Sequence, residues 1–215
     1  MKRNPDVELF ESILRPSERR RISGLRTPFH IQGFLDKIPY SAEQTYRCPL
    51  RVLRDSKAHC FDGAVFSAAL LRRLGYPPVI LYMIANNDDD HCLALFKVDG
   101  RWGAVAKSNY VGLRFREPVY RSLRELAMSY FEDFFNVNGQ KSLRSYTTPL
   151  HLRTFDKYGW MIHDEPMDRI ARRLDQLRTT HLLTRRMIRR LSPVDPLSHK
   201  AGLLGANPSG LYKPD

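Results

Sequence analysis

Between Gly75 and Pro78 the hydrophobic repeat of the chain changes from helical to strand-like. This switch limits the fold to one in which a helix feeds directly into a sheet. Upstream, Phe61, Ala64, Val65, Ala68 and Leu71 recur at helical spacing and predict a helix over about 58–74 with one apolar stripe. Gly75 suits its C-terminal stop, and Pro77-Pro78 cannot prolong it. Downstream, Val79 to Ile84 reads as a buried strand, Asn86 to Asp90 as a polar loop, His91 to Val98 as a second strand and Arg101 to about Ser108 as a third. Asp99-Gly100 is the dipeptide of a two-residue hairpin turn. Such a turn pairs Val98 with Arg101, so paired residue numbers sum to 199 and His91 comes opposite Ser108. The result is an α+β class, a helix packed on an antiparallel sheet.

Further helices are expected over 5–23, where Pro16 interrupts, over 120–135 with Leu123, Leu126, Ala127, Tyr130, Phe131 and Phe134 inward, and over 167–191. In the last, Ile170, Leu174, Leu177 and Ile188 form the inner face and most of the eight arginines from Arg169 to Arg190 face solvent. Pro28, Pro39 and Pro49 predict extended or turn geometry in the mixed stretch 24–56. A length of 215 residues suits one domain, read as 1–191 with a core of about 45–110, a helical C-terminal part over 118–191 and a flexible tail over 192–215. No apolar run reaches the ~20 residues of a membrane-spanning helix. The start, Met1-Lys-Arg-Asn-Pro-Asp followed by Glu8 and Glu11, lacks the apolar stretch of a secretory leader, so no membrane partner and a cytoplasmic location are expected.

Cys48, Cys60 and Cys92 are an odd set with no Cys-x-x-Cys pair, which disfavours a disulfide framework or zinc knuckle. Cys60 falls in the first turn of the 58–74 helix, where unpaired backbone N–H groups and the helix dipole favour thiolate. His91, Leu93 and Leu95 share one strand face, expected to be the face under that helix, and a histidine there is placed to act as base for the cysteine. Cys92 alternates to the opposite face and reads, like Cys48, as a packing residue; His59, one residue before Cys60, reads as facing away. The run Asp88-Asp89-Asp90 reads as a solvated loop rather than a metal site.

Cys60-Phe61-Asp62 at the head of a helix continuing Ala68-Ala69-Leu70-Leu71-Arg72-Arg73-Leu74-Gly75-Tyr76, then His91 opening a strand and Gly100-Arg101-Trp102 on the next, resembles the transglutaminase-like superfamily over about residues 45–110. The resemblance implies a papain-like core in which Cys60 attacks an acyl carbon, usually of an amide, and His91 carries the proton. It implies a peptide or small-molecule amide as substrate, and no cofactor or metal. The superfamily's acidic third member falls at Ala106, so Ser108 or Asn109 is expected to orient His91, Ser108 by register and Asn109 by its amide oxygen. Cys60-Phe61-Asp62 is also similar to the nucleophile region of arylamine N-acetyltransferases, although Lys57-Ala58-His59 stands where those proteins have Arg-Gly-Gly. Two functions follow: a cysteine-dependent acyl-group hydrolase or transferase, or a weakened fold that binds a protein or polyanion. Lys and Arg total 35 against 23 Asp and Glu, and this excess of +12 is what would draw nucleic acid, nonspecifically.

Overall fold

The computed structural model describes residues 4–214; Met1–Arg3, the basic start on which the expectation of no leader rests, and Asp215 lie outside the described residues. The chain runs through α1 (Pro5–Ser12), α2 (Pro16–Ser23), α3 (Pro28–Lys37), α4 (Pro49–Asp55), α5 (Cys60–Arg73), β1 (Val79–Ala85), β2 (His91–Val98), β3 (Arg101–Val105), β4 (Arg116–Tyr120), α6 (Leu123–Met128), β5 (Leu143–Thr147), β6 (Leu150–His151), α7 (Glu165–Asp175), β7 (Thr179–His181), α8 (Arg185–Ile188) and α9 (Pro196–Gly202). The architecture is α+β, with an antiparallel sheet in the order β4-β3-β2-β1-β5-β7 and β6 pairing with β1.

The helix-to-sheet switch stands as expected, with α5 ending just before Gly75, whose φ of +94° is a conformation glycine adopts freely. The hairpin register also stands: Val98 pairs Arg101, Lys97 pairs Trp102 and Ala94 pairs Val105. β3, however, ends at Val105 and not near Ser108. The cause is a partner on α3. The Gln32 side-chain amide donates to the Ala106 carbonyl at 2.9 Å and accepts from the Ala106 N–H at 3.0 Å, taking both backbone groups, which in this register turn away from β2. Lys107 follows, its amine donating to the Leu35 and Ile38 carbonyls at 2.8 and 2.5 Å. Residues 106–107 are thereby drawn to α3, and the predicted facing of His91 and Ser108 across the ladder is lost.

The sheet is buried on both faces. On one, Ile80, Cys92, Ala94, Phe96 and Val105 join α5, with α3, α4 and α7 behind; on the other, Leu81, Met83, Leu93, Leu95 and Ala104 join Leu126, Ala127, Tyr130 and Phe134. The helix therefore covers the Cys92 face and not the His91 face, because both faces of β2 are apolar and its alternation alone does not tell them apart.

Other expectations change for local reasons. Pro28 and Pro49 open helices instead of extending the chain, because N1 tolerates a residue without an N–H. The 120–135 helix stops at Met128, although Tyr130, Phe131 and Phe134 are buried as expected in the turns that follow. The 167–191 helix breaks after Asp175, where Thr179-Thr180-His181 adds β7 to β5; Ile170 and Leu174 pack inward, and α8 restarts under a Thr184 cap. Residues 192–214, expected as a loose tail, carry α9 and are fastened to the domain through Asn207. Among the described residues, no helix is long and apolar enough to cross a membrane.

Candidate active site

Cys60 is the first residue of α5 and His59 its N-cap, in extended conformation. Tyr40 forms an isolated parallel bridge with Ala58, which fixes the chain entering the helix, and its hydroxyl sits against the Cys60 backbone N–H and thiol. Across the sheet end, the loop Asp88–Asp90 and the start of β2 complete the surroundings. Cys60 lines a cavity of about 490 Å³ together with Tyr46, His59, Tyr82, Asp89 and Cys92. It also lines a small recess of about 30 Å³ shared with His91, Ser108, Asn109 and Leu113. All four expected site residues thus meet in one place.

The Cys60 thiol is held well below the ordinary cysteine range. Its strongest support is a hydrogen bond from Cys92; burial opposes, and hydrogen bonds with His59 and His91 then add to the lowering. Cys92 is pushed well above its ordinary range by the same bond and by burial, so it stays a thiol and donates. The Cys60 Sγ also lies 3.7 Å from the Asp90 carbonyl. Cys48, with its thiol pushed up to about 12 by burial, has no comparable activation.

His91 is buried, with Nε2 at 2.8 Å from the Leu113 carbonyl oxygen and its ring edge-on to Phe134. A carbonyl only accepts, so Nε2 carries the hydrogen, and in the neutral ring Nδ1 is the free base. The contact that orients His91 on Nε2 is therefore a backbone carbonyl, while the two side chains expected for that work are engaged elsewhere. Ser108 Oγ accepts from the Tyr110 N–H at 3.0 Å. Asn109 accepts from the Asn207 N–H at 2.7 Å and donates to the Asn207 carbonyl at 2.9 Å.

His59 contradicts its expected orientation. As an N-cap it lies outside the helix, so the helical-wheel argument does not apply to it. Its Nε2 is 3.3 Å from Asp62 Oδ1, and its ring bonds the Cys60 thiol. Asp62 is itself buried, accepting from the Arg47 N–H at 2.8 Å and facing the Arg47 guanidinium at 3.3 Å. A legible signal existed: His59 and Asp62 have the N-cap and N3 spacing of a capping box. Leu113 left no signal, since a carbonyl is common to every residue.

In the 88–90 loop, Asp88 accepts from Ser142 Oγ at 2.6 Å and Asp90 from the Ala85 N–H at 2.7 Å. Among the described residues, no group of three or more His, Cys, Asp or Glu side chains is placed to hold a metal ion.

No family model matches the chain, and no curated protein matches it. Among solved structures the chain is similar to LapG of Legionella pneumophila, at 14% identity over 50% of this chain and 73% of that one, with a TM-score of 0.35. It is similar to the same protein treated with EGTA at 14% identity over 50% of this chain and 70% of that one, also with a TM-score of 0.35. The functional reading rests on this chain's own geometry.

Proposed function

We propose that the protein is a cysteine-dependent acyl-group hydrolase or transferase acting on an amide, with Cys60 as nucleophile and His91 as its proton carrier. The observation that carries this reading is the pairing of a helix-start thiol held toward thiolate with a histidine whose Nε2–H is fixed on Leu113, leaving Nδ1 to serve the sulfur. The Cys60 sulfur adds to the acyl carbon, and the developing oxyanion takes hydrogen bonds from the Cys60 N–H and the Tyr40 hydroxyl. His91, holding the thiol proton, gives it to the leaving nitrogen, which departs as amine. Water or an acceptor amine then gives a proton back to His91 as it attacks the thioester, and Cys60 is released. Arylamine-type acyl transfer differs only in the acyl donor and acceptor.

Ser108 and Asn109 line the recess in this scheme, shaping it around His91. A nucleophile that must stay reduced suits the cytoplasm. The test is site-resolved alkylation combined with turnover of an amide or ester library. The reading expects Cys60 to alkylate at least tenfold faster than Cys48 or Cys92 below pH 7, and Cys60→Ala to abolish turnover. Equal, slow labelling of all three cysteines overturns it.

A further inference from the structure

Cys60 has two histidines on its sulfur, and the scheme above uses only one. His59 is tied to Asp62 at 3.3 Å, and Asp62 is locked by the fully buried Arg47, whose guanidinium also reaches Asp55 at 3.1 Å and Ser41 Oγ at 3.2 Å. Nothing about capping a helix requires such a shell, since a serine or asparagine caps with one oxygen. His59 lines the open cavity and not the recess that holds His91, with the buried Asp62 behind it. Resting on the reading of Cys60 as nucleophile, we propose that His59, fixed by Asp62, is a second catalytic imidazole: it stays protonated beside the sulfur and sustains the thiolate, while His91 alone moves the proton of the leaving group. His59 exchanges no proton during turnover, so the balance of the acyl-transfer steps is unchanged.

The surroundings agree in sign. Burial works against the charged form of His59, but the Cys60 bond and the Asp62 charge outweigh it and raise its proton affinity. Other groups facing the sulfur divide. Cys92 and His91 from β2 favour thiolate, whereas Asp89 and Asp90 across the cavity disfavour it. Tyr40, Glu43, Tyr46, Tyr82, Asp88, Tyr212 and, on α7, Asp175 complete the titratable rim. A fixed cation beside the thiolate offsets those carboxylates, and His59 shares the open cavity with them.

The test is the pH profile of Cys60 alkylation in the full chain, read by peptide mass, with turnover and thermal unfolding measured in parallel. His59→Asn removes the imidazole and supplies a side-chain oxygen suited to the N-cap; His59→Ser is the substitute should it not fold. The expected result is a rise of the alkylation midpoint by about one to two pH units, the scale of losing an adjacent opposite charge, at unchanged unfolding temperature. His91→Asn should abolish turnover yet move the midpoint less, and the double variant should move it further than either. A His59→Asn profile that superimposes on wild type, or a His91→Asn variant that alone shows the full shift of the double, overturns the second imidazole while leaving the Cys60–His91 reading intact. A wild-type Cys60 no faster than Cys92 overturns both.

Discussion

At the scale of residues, the site is a thiol surrounded by hydrogen-bond donors of different kinds, and its state is set by their sum. Cys92 makes the largest single contribution to the lowering, so Cys92→Ala should raise the pH midpoint of Cys60 alkylation, while Cys92→Ser, which keeps a donor, should move it less. Asp89 works in the other direction. Burial first, then the Cys60, Asp88 and Asp90 charges, push its carboxyl up to about 6 from 3.8. A raised folded-state value means that the stability tied to this group is complete below about 4 and is lost as pH rises through about 6. Thermal unfolding of Asp89→Asn should therefore match wild type near pH 4 and occur at higher temperature above pH 6; a difference constant across that range would contradict the assignment. Cys60 and His91 were legible in the sequence because helix starts and strand starts leave periodic signals. His59 was legible only as a spacing with Asp62, and the Leu113 carbonyl not at all, because a main-chain acceptor has no residue type. Ala106 shows the remaining gap: no side chain there replaces an acid, and its backbone is instead taken by Gln32 from a helix far away in sequence.

At the scale of elements, the periodic pieces around the site were readable and their ends were not. The α5–β1–β2–β3 order, the Asp99-Gly100 turn and its register all follow from local pattern. The end of β3, the break of the 167–191 stretch and the choice of sheet face depend on partners that local pattern cannot see. α5 meets the 106–107 segment closely at Gly63, where a Cβ would stand 2.3 Å from Lys107 Cβ. That contact involves the rigid base of a side chain whose amine is already committed to two α3 carbonyls, so it cannot swing aside. Alanine is the better helix former by ~1 kcal/mol, yet Gly63→Ala should destabilise the fold, by about 1–3 kcal/mol net in urea denaturation. A neutral or stabilising result would show that α5 and the 106–107 segment separate without cost. Because the same contact holds the nucleophile helix against the turn leading to Leu113, the variant should also lower Cys60 reactivity.

At the scale of the whole molecule, charge and chain are distributed unevenly about the site. The chain carries an excess of +12, yet carboxylates from Asp88 to Asp90 and Asp175 line the cavity at Cys60. A polyanion drawn by the arginines should stay off that cavity: nucleic acid at low salt should leave Cys60 alkylation unchanged, and protection of Cys60 would place binding in the cleft. On its Tyr40 side Cys60 opens on a second cavity, of about 310 Å³, walled by the C-terminal segment. Asn109 holds Asn207 by two backbone hydrogen bonds, Asn207 donates to the Tyr40 carbonyl at 3.1 Å, and Ser209 to Tyr212 border the cavity on the Cys60 and Tyr40 side. Asn109, which the sequence offers as a partner of His91, is instead the latch of this wall. Each of its two bonds contributes about 1 kcal/mol, beside the Asn207–Tyr40 bond, the His199–Val137 bond and the packing of Leu203 and Leu211 on the core. Asn109→Ala should therefore loosen residues 203–214 without unfolding the domain, read as faster amide exchange confined to that stretch. Opening should also be size-dependent: a small reagent such as iodoacetamide should label Cys60 at nearly the wild-type rate, whereas a bulky maleimide should label it severalfold faster. If both reagents slow down together, Asn109 supports the thiolate and not the wall.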